Sequence, residues 1–246
     1  MQIAWATDIH FDAAEPAAID HFCTQIRRSR AEVLLIGGDI STGRTAEDCL
    51  RDLIKQVHLP VYFVLGNHDY YGDSIANVRQ RMAALSESDL IWLDRAGVVP
   101  LTDKTALVGN GGWADATLGD FDHSPLMTDF FAIEELFRCI GVEDLLDGFK
   151  DRGKLQAKLQ SLGSEAAEDL RPVLEQAATD FEHVLVLTHV PPFLEAAWYG
   201  GQISGDDWLP HVTCHAMGRV IRQRARGHPD VGFEVLCGHT HGHGEA

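Results

Sequence analysis

The stretch Val61-Tyr-Phe-Val-Leu-Gly-Asn-His-Asp69 is a short apolar run that ends in a glycine and three polar residues. Its length and its β-branched and aromatic content are typical of a strand and too short for a stable helix. A strand buried on both faces is apolar throughout, so the run predicts an interior strand of a mostly parallel sheet. The polar residues that follow are then expected in a loop at the carboxyl end of that strand.

Five further apolar runs have a similar length and composition, and each is predicted to be a buried strand. They cover residues 2–7, 33–37, 106–109, 184–188 and 234–237. Helical patterns lie between them: Thr45 begins a Thr-Ala-Glu-Asp sequence that resembles a capping box, and Pro60 stops the helix that follows. Ser74 can cap the next helix. The repeated unit of strand, loop and helix predicts an α/β fold with helical crossovers.

The chain is predicted to form a single domain over residues 1–246, since one α/β domain of 246 residues is of ordinary size. Between residues 113 and 180 the pattern becomes mostly helical and carries no catalytic motif. This segment is therefore predicted to be an insertion. Four glycines are expected to interrupt its helices: Gly141, Gly148, Gly153 and Gly163.

The composition argues against several classes of protein. The 37 acidic and 20 basic side chains give a formal charge of -17, which disfavours attraction to nucleic acid or to an anionic membrane. The five cysteines are widely spaced and form no Cys-x-x-Cys pair, so neither a disulfide framework nor a thiolate zinc site is expected. The chain begins without a signal-peptide pattern and has no long apolar run, so we expect a cytoplasmic protein.

Side chains able to bind metal follow five of the predicted strands. Seven of them are candidate ligands: Asp8, His10, Asp39, Asn67, His189, His239 and His241. Loops at the carboxyl ends of strands are where α/β sheets place their sites, so these side chains are expected to converge. Imidazole nitrogens with carboxylate and amide oxygens suit Mn, Fe, Zn or a similar divalent ion. Seven ligands exceed one tetrahedral site and favour two ions that share a carboxylate.

Each motif taken alone has a simpler explanation. Asp8 and His10 could serve turn and cap chemistry, Asp39 could cap a helix, and the glycine and asparagine at 66–67 could form a tight turn. The histidines at the end of the chain could belong to a solvated terminus. Five such motifs, each directly after an apolar strand, are poorly explained by coincidence and favour a metal site.

The ordered motifs D-x-H, G-D, G-N-H-D, H and G-H-x-H span residues 8 to 241 and resemble those of the calcineurin-like metallophosphoesterases. The resemblance implies a two-sheet α/β sandwich flanked by helices, with a dinuclear site above the strand ends. It implies one ion held by Asp8, His10, Asp39 and His241, and a second held by Asp39, Asn67, His189 and His239. Asp39 would bridge the two ions. Mn is the expected metal, with Fe, Zn or Mg as alternatives.

The resemblance also implies roles for His68 and Asp69, the predicted catalytic residues. His68 would lie beside the phosphate without binding metal, as a transition-state donor or general acid, and Asp69 would help to hold its loop. Metal-activated hydroxide would attack a small phosphomonoester or phosphodiester. In the protein-phosphatase branch an acidic residue stands three positions after the bridging aspartate, where this chain has Thr42. This difference argues against a close relative of the protein Ser/Thr phosphatases.

Two other functions stay open on the sequence. A nuclease of the same family is disfavoured by the negative charge, and a catalytically idle interaction scaffold is disfavoured by the complete ligand set. Several side chains near the motifs could select the substrate: Trp113, Asp115, Phe121, His123, Phe193, Trp198 and Tyr199. The open sheet edge expected beside the last motif would need covering, so a homo-oligomer is a further expectation.

Overall fold

The structure is a computed structural model that describes residues 1–85, 89–141 and 151–245. Its strands, in chain order, are β1 Ile3–Ala6, β2 Val33–Ile36, β3 Val61–Phe63, β4 Leu90–Trp92, β5 Val99–Pro100, β6 Thr105–Gly109, β7 His183–Leu187, β8 Trp198–Tyr199, β9 Gln202–Ile203 and β10 Gly232–Leu236. Its α-helices are α1 Pro16–Arg28, α2 Ala46–Val57, α3 Ile75–Ala84, α4 Leu93–Ala96, α5 Asp129–Ala132, α6 Glu134–Phe137, α7 Gly153–Asp180, α8 Leu209–Val212 and α9 His215–Gly227. Single 3-10 turns cover His68–Tyr70 and Leu194–Ala196.

The strands form two sheets. The first has the order β1-β2-β3-β4, and every neighbouring pair is parallel. The second has the order β10-β7-β6-β5, with parallel pairs except for the antiparallel β5–β6 pair. β8 and β9 form a separate antiparallel hairpin. The predicted α/β fold with two sheets and flanking helices is confirmed.

The interior strands β2, β3, β6 and β7 are mostly buried because one face meets the other sheet and the opposite face meets helices. The prediction of burial is wrong for β1 and β10, which lie at sheet edges and are partly exposed. In β2, Val33 and Leu35 pack in a cluster with Leu107 of β6 and Leu187 of β7, between the two sheets. The alternate residues of β2 point the other way and pack in a cluster with side chains of α1, α2 and α3. In the second sheet the outer face is covered by α7 and α9. Burying one such leucine contributes roughly 1.5–3 kcal/mol to the stability of the fold.

Local structure departs from the sequence predictions at two places. Thr45 does not cap α2: its hydroxyl donates to the carbonyl of Thr42 at 3.1 Å, and the helix begins without a side-chain cap. Gly163 does not interrupt a helix. It lies inside α7, where a Cβ would come within 2.5 Å of Asp115 Cβ, so a glycine allows close packing there. The prediction for Ser74 is confirmed, because its hydroxyl accepts the backbone N–H of Asn77 at 3.1 Å.

The segment from 113 to 180, as far as the structure describes it, contains α5, α6 and α7. Gly153 is the first residue of α7, and Gly148 lies outside the described residues. The five cysteines, all within the described residues, form no disulfide. Within the described ranges, no helix combines the length and apolar character needed to cross a lipid bilayer.

Candidate metal centre

The predicted ligands meet at the carboxyl ends of β1, β2, β3, β7 and β10. The first and last motifs are in direct contact, because the backbone N–H of His239 donates to both carboxylate oxygens of Asp8 at 3.1 Å. The first and second motifs are joined by a 3.0 Å hydrogen bond from the backbone N–H of His10 to the carbonyl of Asp39. The parallel strands thus bring together residues that are 231 positions apart in sequence.

The first group of candidate ligands consists of Asp8, His10, Asp39 and His241. One ligand atom from each lies within 4.8 Å of the others. His241 Nε2 is 3.3 Å from Asp8 Oδ1, and His10 Nε2 is 3.8 Å from Asp39 Oδ2. The side chain of His241 is 55% exposed, whereas that of Asp39 is 2% exposed. This group therefore extends from the buried Asp39 to the solvent-exposed His241.

The second group contains Asp39, His189 and His239, again with ligand atoms within 4.8 Å of one another. His189 Nδ1 lies 2.8 Å from the carbonyl of Gly37, and His239 Nε2 lies 2.8 Å from the carbonyl of His211. A carbonyl oxygen only accepts, so these two nitrogens carry the ring protons. Burial lowers the pKa of His189 and lowers that of His239 to about 4, so both rings are neutral near pH 7. The other nitrogen of each ring then presents a lone pair.

Acceptor atoms face one another inside the second group. His189 Nε2 lies 3.1 Å from His239 Nδ1 and 3.2 Å from the amide oxygen of Asn67. It is also 3.5 Å from Asp39 Oδ1. Lone pairs packed at such distances in a buried site repel one another, and a cation between them removes the repulsion. These nitrogen and oxygen lone pairs therefore fit the ligands of a divalent metal ion.

Asp39 belongs to both groups and is the acidic residue on which the centre depends. Burial raises the pKa of Asp39, and the neighbouring negative charge of Asp8 raises it further. Positive charge between two carboxylates this close would favour the ionised form of both. The shared carboxylate thus matches the geometry expected of a bridge between two cations.

The backbone at this edge of the sheets is strained. Positive φ angles, rare for residues other than glycine, occur at Asp8 (54°), His10 (40°), Asp39 (50°), His239 (71°) and His241 (53°). Such conformations persist only where the surrounding structure enforces them, and they concentrate at functional sites. Gly66 is required for a steric reason, because a Cβ at this position would lie 2.2 Å from Asp39 Oδ1.

His68 lies beside the centre and outside both groups of ligands. Its Nε2 is 4.0 Å from Asp39 Oδ2, its ring stacks on Tyr71 at 4.3 Å, and the ring of His10 meets it edge-on at 4.7 Å. Burial, together with the neighbouring His10, lowers the pKa of His68 to about 4. A neutral imidazole at physiological pH favours the role of hydrogen-bond donor over that of a protonated acid.

Asp69 is fully buried and holds the loops of the site together. Its carboxylate accepts the backbone N–H groups of Ile40 at 2.9 Å, Ser41 at 3.0 Å and Gly66 at 2.8 Å. These bonds tie the loop after β2 to the loop after β3. Among the described residues its hydrogen bonds are to backbone N–H groups, an arrangement that fits the predicted role of holding the loop.

Three further residues contribute contacts that the sequence motifs did not indicate. Tyr71 stacks on His68, and Asp129 accepts hydrogen bonds from Tyr71 and from the amide of Asn67. The carbonyl of His211 fixes the ring of His239. Tyr71 lies two residues after the G-N-H-D motif, so its position was a usable signal. Asp129 and His211 carry no local signal, because only the tertiary fold brings them to the site.

The groups considered for substrate contact divide into buried and exposed residues. Trp113 and Phe121 are core residues, and Asp115 caps α9 by accepting the backbone N–H of Ala216 at 2.8 Å. The others lie nearer the surface: His123 pairs with Asp120, Phe193 lies against the guanidinium of Arg222, Trp198 is half-buried and Tyr199 is 68% exposed.

His211 is expected to make stability dependent on pH. Its buried ring bonds Ser124 Oγ at 2.8 Å, and burial lowers its pKa from 6.5 to about 4. The unfolded chain therefore binds this proton more readily than the folded chain. The contribution of His211 to the free energy of unfolding is fully present above pH 6.5 and falls as the pH drops toward 4. At pH 5 the loss from this residue is about 2 kcal/mol. Urea unfolding of the wild type and of His211→Gln at pH 7.5 and pH 5 measures the difference; equal losses in both proteins would contradict the assignment.

Comparisons with known proteins agree with this geometry. Residues 1–243 match the calcineurin-like phosphoesterase family. A dimetal phosphatase from Danio rerio is similar over 96% of this chain and 79% of its own, with 17% identity and a TM-score of 0.53. The protein TT1561 from Thermus thermophilus is similar over 95% and 80%, with 14% identity and a TM-score of 0.52.

A third similar structure is phosphopantetheinyl hydrolase from Mycobacterium tuberculosis, which matches over 98% of this chain and 83% of its own. It has 12% identity and a TM-score of 0.57. At these identities the three structures indicate a shared fold. None of the curated proteins matches this chain in sequence.

Proposed function

Because the chain belongs to the calcineurin-like phosphoesterase family, we propose that it hydrolyses a small phosphomonoester or phosphodiester at a centre of two divalent ions. The observation that carries the proposal is the pair of ligand groups that share the buried carboxylate of Asp39. Two bound divalent ions would supply an activated water nucleophile and neutralise the phosphate oxygens. The first ion would be held by Asp8, His10, Asp39 and His241, and the second by Asp39, Asn67, His189 and His239.

The remaining residues of the site act on the phosphate and on the ligands. His68 donates a hydrogen bond to the phosphate or to its leaving oxygen, where negative charge grows in the transition state. Asp69 keeps the loops after β2 and β3 in register. The carbonyls of Gly37 and His211 hold the two buried imidazoles in the tautomers that metal binding needs.

We propose Mn as the native metal, because the mixture of imidazole, carboxylate and amide ligands suits it. Fe, Zn and Mg are the alternatives.

We also propose a small phosphorylated substrate, since the formal charge of -17 disfavours a nucleic-acid polymer or an anionic membrane. The unpaired cysteines support a reducing, cytoplasmic location. A homo-oligomer would cover the open edge at β10, and sedimentation of the purified chain tests this.

Removal of metal is the direct test. Chelation should abolish hydrolysis, and adding back Mn should restore it at two ions per chain; Mg, Fe and Zn are compared in the same way. Metal content is measured by plasma emission spectrometry. Hydrolytic activity is measured on phosphomonoesters, cyclic nucleotides, dinucleotides and phospholipid precursors. A chain that binds well under one equivalent and stays inactive with Mn would instead be an interaction scaffold. Tight nucleic-acid binding with a steep salt dependence would favour a nuclease.

A further inference from the structure

Asp129 lies beside the metal centre although it belongs to α5, in the helical segment after β6. Its Oδ1 accepts a hydrogen bond from Asn67 Nδ2 at 3.0 Å and another from the hydroxyl of Tyr71. Tyr71 in turn stacks on His68. We propose that Asp129 is a positioning residue that orients Asn67 for the second ion and, through Tyr71, holds the ring of His68. This inference rests on the proposed function.

The contact with Asn67 decides which way its amide points. Oδ1 of Asp129 accepts the hydrogen bond, so the NH2 group of the amide is the one that faces it. The amide oxygen is thereby turned toward His189, where it lies 3.2 Å from Nε2 among the other acceptor atoms. Without Asp129 the amide could rotate and present hydrogens to the metal. The carboxylate therefore makes Asn67 a ligand by fixing its orientation.

The contact with Tyr71 acts on His68, on which the ring of Tyr71 stacks. A phenol is protonated at neutral pH, so Tyr71 donates its hydroxyl hydrogen to Asp129. Its ring lies at an interplanar angle of 26° to the imidazole of His68, in a stacked arrangement. A ring fixed at its hydroxyl end restricts the imidazole that stacks on it. Asp129 thus links a metal ligand and the proposed hydrogen-bond donor through one oxygen atom.

A purely local role for Asp129 does not account for these contacts. Its partners Asn67 and Tyr71 lie 62 and 58 positions away in sequence, in the loop after β3. Neither bond serves the backbone of α5. The carboxylate therefore links the helical segment to the loop after β3. Its loss is expected to disturb the metal centre more than the helical segment itself.

Metal titration tests the first part of the inference without reference to any substrate. Protein stripped of metal by a chelator is titrated with Mn²⁺, and binding is measured by calorimetry. Asp129→Ala should weaken one of two Mn²⁺ sites by about 10–100-fold and leave the other unchanged, as expected when a ligand loses its hydrogen-bond partner. Asp129→Asn keeps an acceptor oxygen and should recover most of the affinity. Asp122→Ala, an exposed residue of the same segment with the same change of charge, should bind Mn²⁺ as the wild type does.

Kinetics tests the second part. Tyr71→Phe keeps the stacked ring but loses the hydroxyl, which also lies 3.4 Å from Asn67 Nδ2. Because the shorter contact between Asn67 and Asp129 remains, kcat should fall several-fold while both Mn²⁺ affinities and KM stay near wild type. Two unchanged Mn²⁺ affinities in Asp129→Ala would overturn the role of Asp129 toward Asn67. Equal weakening of both sites, or no recovery in Asp129→Asn, would indicate a general structural role and overturn it as well. A wild type that binds no Mn²⁺ would instead overturn the proposed function.

Discussion

Asp39→Asn is expected to lower kcat/KM by more than about 1,000-fold and to reduce the bound metal to one ion or none. Asp39 faces both groups of ligands: Oδ1 lies 3.5 Å from His189 Nε2, and Oδ2 lies 3.8 Å from His10 Nε2. An amide keeps the size but removes the charge, and one of its two positions becomes a donor that faces lone pairs. Plasma emission spectrometry and steady-state kinetics on the same preparation measure both effects.

A matched control separates the bridge from a simple change of charge. Asp20→Asn removes one carboxylate from the exposed surface of α1 and should leave activity and metal content unchanged. Asp39 Oδ1 also accepts the backbone N–H of His68 at 2.9 Å, so thermal unfolding in chelator should show whether the loop itself is weakened. Two bound ions and more than a tenth of the activity in Asp39→Asn would contradict a shared ligand.

The interior strands could be predicted from sequence because residues that are buried on both faces of a sheet are apolar throughout. The strands β4, β5, β8 and β9, each two or three residues long, were not predicted. In β2 every residue is buried, since Val33 and Leu35 face the second sheet while the residues between them face helices. Such two-sided burial yields a continuous apolar run. Short runs bounded by Gly-containing loops then mark both the strands and the edge at which they end.

Local helix rules failed at two positions, for different reasons. Thr45 has the sequence of a cap, yet its hydroxyl bonds Thr42 and lies 2.7 Å from the hydroxyl of Ser41. Gly163 looks like a helix breaker, yet it lies within α7 because Asp115 packs against its Cα. The hydroxyl of Thr45 is thus engaged by its own neighbours in the turn before α2, whereas the partner of Gly163 is distant in sequence.

The candidate ligands of the site could be located from sequence, whereas the residues that contact and orient them could not. Each ligand follows a recognisable strand, so its type and position are visible together. Asp129 follows no strand and lies in a segment without a catalytic motif. His211 acts through its backbone carbonyl, which every residue possesses. Their functions depend on where the chain folds back, and a single sequence holds no local trace of that.

His68→Ala is expected to retain two metal ions and to lower kcat by about 100–10,000-fold. The imidazole lies outside both ligand groups, with Nε2 4.0 Å from Asp39 Oδ2, so its removal leaves the metal donors in place. The loss should be larger for an alkyl phosphate than for p-nitrophenyl phosphate, whose leaving group needs little stabilisation. His21→Ala, an exposed histidine of α1, is the matched control and should retain wild-type activity.

His68→Gln distinguishes donation of a hydrogen bond from transfer of a proton. With a pKa of about 4, His68 is neutral near pH 7, so its N–H should act as a donor to developing charge. Glutamine supplies an N–H but cannot transfer a proton, and it should therefore recover part of the activity that alanine loses. Equal activities of the glutamine and alanine variants would favour proton transfer, and a full rate of His68→Ala on alkyl phosphates would exclude either role. Because neither variant removes a metal ligand, both comparisons report on the phosphate side of the site alone.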